Sequence, residues 1–88
     1  MACYSIIWQN RAAKELRNLP HEVIPQVVAA INNLAESPYP DGVKKLAGRD
    51  NHYRIRQGRY RVIYTIENQQ LIIEIIRVAH RKEVYRNI

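Results

Sequence analysis

The stretch YRIRQGRYRVIYTI, residues 53–66, decides the fold, because in it the apolar residues recur at every second position rather than every third or fourth. Gln57-Gly58 divides it into two strands, Tyr53 to Arg56 and Arg59 to Ile66, joined by a two-residue loop that favours a tight turn with glycine second. In that register Arg56 lies opposite Arg59 and Arg54 opposite Arg61. A side-chain period of two sends all four guanidinium groups to one face of the hairpin and Tyr53, Ile55, Tyr60 and Val62 to the other, the core face. Like charges directly opposite each other destabilise a sheet by some tenths of a kcal/mol per pair, roughly, so folding alone does not favour this pattern. An anion that relieves the repulsion is expected, and nucleic-acid phosphate is the natural one. Charged strands that discourage edge-to-edge aggregation would leave the same mark.

Downstream of the hairpin, Leu71 to Val78 is apolar at nearly every position and reads as a central strand covered on both faces, joined across Asn68-Gln69. This two-residue turn puts Ile76, Val78 and His80 on the arginine face and Arg81 on the other. The polar tail from His80 to Ile88 is expected to leave the sheet. Upstream the period is helical. Ile24, Val27, Val28, Ile31 and Leu34 form one buried stripe, with Pro25 in the first turn, where a proline costs no backbone bond. An earlier helix starts with Asn10 as N-cap, runs to Asn18 with Ala12, Leu16 and Leu19 on one stripe, and stops at Pro20. Tyr4 to Trp8 is a short first strand with Tyr4, Ile6 and Trp8 on one face. The turn residues of Ser37 to Gly42 close the helical part. The expected fold is α+β, a helical hairpin on a small, mainly antiparallel four-stranded sheet in the order β-α-α-β-β-β, with a short C-terminal helix or tail.

The chain has 88 residues, which suits a single domain over 1–88 with any site on the outside of a thin two-layer structure. Fourteen Lys and Arg against eight Asp and Glu give a net charge of +6. The excess is local: residues 49–88 hold nine basic and four acidic side chains, residues 1–48 five and four. Ten of the basic residues are Arg, the side chain suited to bidentate contact with phosphate, so a polyanionic partner is expected. The single Cys3 can form no internal disulfide and fits a reducing compartment. His21, His52 and His80 lack metal-ligand spacing, and no apolar run is long enough to span a membrane, so neither cofactor nor membrane contact is expected and the place of action is the cytoplasm. His80, Arg81, Lys82 and Tyr85 cluster after the last strand. Histidine exchanges protons near neutral pH, so His80 is a candidate acid or base, although a histidine that hydrogen-bonds backbone at a strand end fits as well.

The run LAGRDNHYRIRQGRYRVIY (Leu46 to Tyr64), the later IIRVAHRKEVYR (Ile75 to Arg86), Leu19-Pro20 and the ESP at Glu36 to Pro38 resemble the RelE branch of the RelE/ParE toxin superfamily over essentially the whole chain. The resemblance implies a toxin of a type II toxin–antitoxin system, a ribosome-dependent endoribonuclease that cuts messenger RNA in the A site and inhibits translation. By motif position it implies catalytic roles for Arg54, Arg56, Arg61, Arg81 and Tyr85. Arg49, Arg59, Lys44, Lys45 and Lys82 are the further basic residues expected to hold RNA. The resemblance also implies a cognate antitoxin protein, acidic or amphipathic, and contact with operator DNA only through the toxin–antitoxin complex. Two other readings stay open: a ParE-like toxin that poisons DNA gyrase without chemistry, and a plain RNA-binding module.

Overall fold

The alternation in residues 53–66 does build a hairpin, and the sheet grows outward from it. The computed structural model describes residues 3–82. In chain order these form β1 (Ser5–Trp8), α1 (Asn10–Arg17), α2 (Ile24–Asn33), β2 (Lys44–Lys45), β3 (His52–Gln57), β4 (Tyr60–Glu67) and β5 (Ile72–His80). The strands lie in the order β1-β5-β4-β3-β2, with β1 parallel to β5 and every other pair antiparallel. Both helices pack on one face of this mixed sheet. The α+β class is as expected, with five strands instead of four; the additional one is the two-residue β2, too short to show a period.

The core lies between the helices and that face. Ala12, Val27, Ile31 and Leu34 meet Ile55, Val62, Tyr64, Ile66, Ile73, Ile75 and Val78, and Tyr4, Ile6 and Trp8 pack against them from β1. Pro25 sits in the first turn of α2, where its missing N–H would find no intrahelical partner anyway. Gln9, not Asn10, occupies the N-cap position of α1, in extended conformation and without a side-chain bond; Asn10 is already helical.

Three features of register differ from expectation. The hairpin loop is Gly58-Arg59, so that Gln57 pairs with Tyr60 and Arg56 with Arg61, while Arg54 faces Ile63. Gly58 takes a φ of 61°, in the first loop position, where a turn that opens at positive φ calls for glycine. Moving the loop by one residue moves each partner by two, so the pairs change and the faces do not. The β4–β5 connection is also longer, running from Asn68 to Leu71.

The third difference changes faces. Ile63 pairs with Arg77 but Tyr64 with Ile75, so Ile76 is an extra residue that bulges from β5. After the bulge Val78 lies opposite Val62 and His80 opposite Tyr60, on the helix side, and Ala79 lies opposite Arg61. This reverses the expectation that Val78 and His80 share the arginine face. The strand continues to His80, and the Arg81 N–H donates to the Arg59 carbonyl at 2.9 Å. Arg81 therefore follows Ala79 in register toward the arginines. Any C-terminal helix or tail lies outside the described residues.

Candidate nucleic-acid interface

The sheet face away from the helices carries two cross-strand rows. One runs Lys44–Arg54–Ile63–Arg77, the other Arg56–Arg61–Ala79. Arg56 and Arg61 are thus a directly opposed like-charge pair, and Arg61 lies diagonally across from Arg54. Ile63 and Ala79 are buried beneath them, with Leu46 and Ile76 packed alongside, so the guanidinium groups stand on an apolar floor. Low polarity under a charge strengthens its hold on an anion and raises the cost of leaving it unpaired.

Arg54 bears that cost most. Only 7% of its surface is exposed, and its buried Nε meets no hydrogen-bond acceptor among the described residues. A buried donor left without an acceptor costs on the order of 1–3 kcal/mol, and more when it is charged. Arg61 is half-buried and Arg56 exposed. A groove of about 480 Å³ opens beside them between α2 and the edge of β3, lined by Ala30, Leu34, Gly42, Lys44, Arg54 and Arg56.

Other expected site residues lie around this centre or apart from it. Arg59 is exposed in the hairpin loop, with Arg81 bonded to its carbonyl and Lys82 exposed next in chain. Lys44 and Lys45 are exposed on β2, where Lys44 faces Arg54, and Arg49 is exposed in the loop before β3. Tyr85 lies outside the described residues. His80 is not brought to the arginines. Its ring meets Tyr60 edge-on at 5.7 Å, its Nδ1 accepts the Lys82 N–H at 3.3 Å, and it lines a separate hollow with Leu19 and Pro20.

Sequence reasoning missed one charged contact. Arg77 is 4% exposed and donates from Nε to Glu15 Oε2 at 2.9 Å, while the other carboxylate oxygen accepts the Val78 N–H at 3.0 Å. The signal was Arg77, one of two charged residues, with Glu74, in a run that is apolar elsewhere from Leu71 to Val78. On the helix side, Tyr64 donates its hydroxyl to the Pro38 carbonyl at 2.8 Å. Burial pushes this phenol far above its ordinary value, with Tyr39 and Tyr53 adding to the shift; Tyr53 is raised too, by burial first and then by Tyr39. Both stay neutral donors. Among the described residues no three of His, Cys, Asp and Glu stand close enough to hold a metal ion, and no helix is long and apolar enough to cross a membrane.

The arrangement can bind and stabilise negative charge at several neighbouring points. Comparison with known proteins gives it context. The family described as "ParE toxin of type II toxin-antitoxin system, parDE" matches residues 6–85. Toxin RelG of Mycobacterium tuberculosis is 31% identical over 87 residues, covering 94% of this chain and 97% of that protein. Among solved structures, the archaeal RelE–RelB complex of Pyrococcus horikoshii superposes with a TM-score of 0.80 at 28% identity, covering 93% of this chain and 99% of that one. The intact RelBE toxin–antitoxin complex of E. coli gives 0.77 at 28% identity, with 88% and 95% covered.

Proposed function

The chain belongs to the RelE/ParE superfamily of toxins of type II toxin–antitoxin systems, and on that footing we propose that it is a ribosome-dependent endoribonuclease that cuts messenger RNA in the A site. The observation that carries this reading is Arg54, a buried guanidinium with an unanswered donor beside the opposed Arg56 and Arg61. Such a site wants a phosphate, and three cations around one apolar floor suit a phosphate whose charge grows during reaction.

In the proposed route the RNA 2′-oxygen attacks the adjacent phosphorus, the bond to the 5′-oxygen breaks, and the products are a 2′,3′-cyclic phosphate and a 5′-hydroxyl. The 2′-hydroxyl gives up its proton as the leaving oxygen gains one. The attacking group is already tethered to the phosphate, which supplies proximity, so the route needs no metal ion. Arg61 binds the developing phosphorane, and Arg54 and Arg56 hold the phosphates beside it. Arg81 stands toward the leaving oxygen, and Tyr85 orients the nucleotide. Arg49, Arg59, Lys44, Lys45 and Lys82 extend the grip on RNA. His80, on the other face, has no step here. Guanidinium groups are poor proton acceptors, so substrate geometry supplies much of the acceleration, in keeping with a message held by the ribosome.

The relatives solved with RelB support a cognate antitoxin for this chain as well. An acidic or amphipathic antitoxin would cover apolar groove surface and neutralise or displace the basic site, and operator DNA would be met through that complex. The residues 1–88 act as a single toxin domain in the cytoplasm. The test is incubation of the purified toxin with programmed ribosomes and with free RNA in parallel. Codon-aligned breaks on the ribosome alone are expected; intact message in both arms would overturn the proposal. A second reading has the matched family's description in its favour: a ParE-like toxin acting on DNA gyrase, for which DNA damage with intact messages would be the outcome.

A further inference from the structure

The bulge at Ile76 decides which side chain stands beside Arg61, and one contact grips the strand right after it. If the pairing of Tyr64 with Ile75 ran on without interruption, Val78 would face Arg61, and Arg77 would turn toward Val62 and the core. The bulged register instead pairs Ala79 with Arg61 and carries Arg81 to the arginine side, where its N–H meets the Arg59 carbonyl.

The apolar residues of β5 suit either face, and within the strand it is Arg77 that distinguishes the registers, because the unbulged one would bury its guanidinium toward the core. Glu15 adds a contact that only the bulged register can make. β1 ends at Trp8, and its last bond to β5 runs from the Gln9 N–H to the Ile75 carbonyl at 3.0 Å, so among the described residues β5 has no strand neighbour on that side beyond this point. Glu15, from α1, takes up the place. One carboxylate oxygen accepts the Val78 N–H at 3.0 Å and the other the Arg77 Nε at 2.9 Å. The carboxylate thus answers an edge amide and neutralises a buried charge at the two residues that follow the bulge. A slip of one residue would lose both contacts.

We infer that Glu15 is a positioning residue: through Arg77 and Val78 it holds the bulged register of β5 and thereby places Arg81 at the phosphate-binding face. The link to catalysis rests on the proposed ribonuclease reading; the link to register does not.

The test uses the full chain with Glu15→Ala, Glu15→Gln, Arg81→Ala and the double variant Glu15→Ala/Arg81→Ala. Two readouts are taken, the cross-strand NOE between Arg61 and Ala79 and the single-turnover cleavage rate on programmed ribosomes. Glu15→Ala should lose or weaken the Arg61–Ala79 NOE and cut the rate by about 10- to 100-fold, the scale of a misplaced catalytic group, with little change in ribosome affinity. Glu15→Gln keeps an oxygen for the Val78 N–H and should recover most of both. In the Arg81→Ala background the Glu15→Ala change should cost almost nothing further, since its route of action is already gone. An unchanged NOE in Glu15→Ala, or additive losses in the double variant, overturns the inference. Should Glu15→Ala fail to fold, the NOE and rate of Glu15→Gln decide: a folded Glu15→Gln with the NOE intact and a parental rate supports it, and one with the NOE intact and a rate as low as Arg81→Ala overturns it. A parent that cuts no message sinks the ribonuclease reading and leaves the NOE comparison to judge the register on its own.

Discussion

Arg61 and Tyr64 stand three residues apart on β4 and show how the strand divides its work between faces. Arg61 points to the face free of helices, and its expected role is to take charge from a phosphorane. Arg61→Ala should therefore lower the cleavage rate by about 10²–10³-fold, as loss of one preorganised donor does, while circular dichroism and melting stay close to the parent. Cells expressing it should keep translating. Tyr64 points inward and serves the fold. Its phenol is raised above the ordinary value of about 10, so its share of stability is fully present below about pH 10 and is lost as pH climbs past that toward the folded value. Tyr64→Phe should cost about 1–2 kcal/mol near neutrality, because the Pro38 carbonyl loses its donor. In urea unfolding the gap between parent and Tyr64→Phe should narrow at about pH 11; a gap that widens would contradict the burial argument.

At the scale of elements, the hairpin keeps a repulsion that folding does not need. Arg56→Thr removes one member of the opposed pair and places a β-branched residue on the strand, so it should raise stability by about 0.2–1 kcal/mol at low salt. The gain should shrink toward 0.5 M salt as screening does the same work, and cleavage should weaken at every salt concentration. Thermal melts at two ionic strengths check this. The hairpin was legible in the sequence because Tyr53, Ile55, Val62 and Tyr64 alternate with arginines, and a face assigned by alternation survives a two-residue error in pairing. Gly58 can open or close the tight loop, and the alternation alone does not say which, so the partner of Arg56, Arg59 or Arg61, is set only by the folded turn. β5 was another matter. Its apolar residues carry no period, so neither the bulge at Ile76 nor the turn of His80 away from the arginines could be read from it, and the contact that favours the bulge comes from Glu15, 62 positions away from Arg77. The groove beside β3 was hidden for a similar reason, since it depends on where α2 and Gly42 settle against a strand edge.

At the scale of the molecule, a charge of +6 becomes a directional surface. The helices cover one side of the sheet, and the basic rows occupy the other. Binding to single-stranded RNA should accordingly fall with salt. With Arg54, Arg56, Arg61 and Arg81 each meeting one phosphate, the slope of log K against log salt is expected near −3, at about −0.7 per contact, and Arg56→Thr should bring it closer to zero by about one such step. Fluorescence anisotropy over a salt series measures it, and a flat response would mean that the arginine face is not the binding surface. The parallel pairing of β1 with β5 bears on synthesis. Ser5 emerges from the ribosome early, but its partner Ile72 comes only after both helices and the hairpin. Long separation of this kind slows folding, because the loop must close before its contacts repay it. A nascent chain that has not yet delivered β5 has no seat for β1, so the sheet whose far face carries the arginines is completed only after residues 72–80 have emerged.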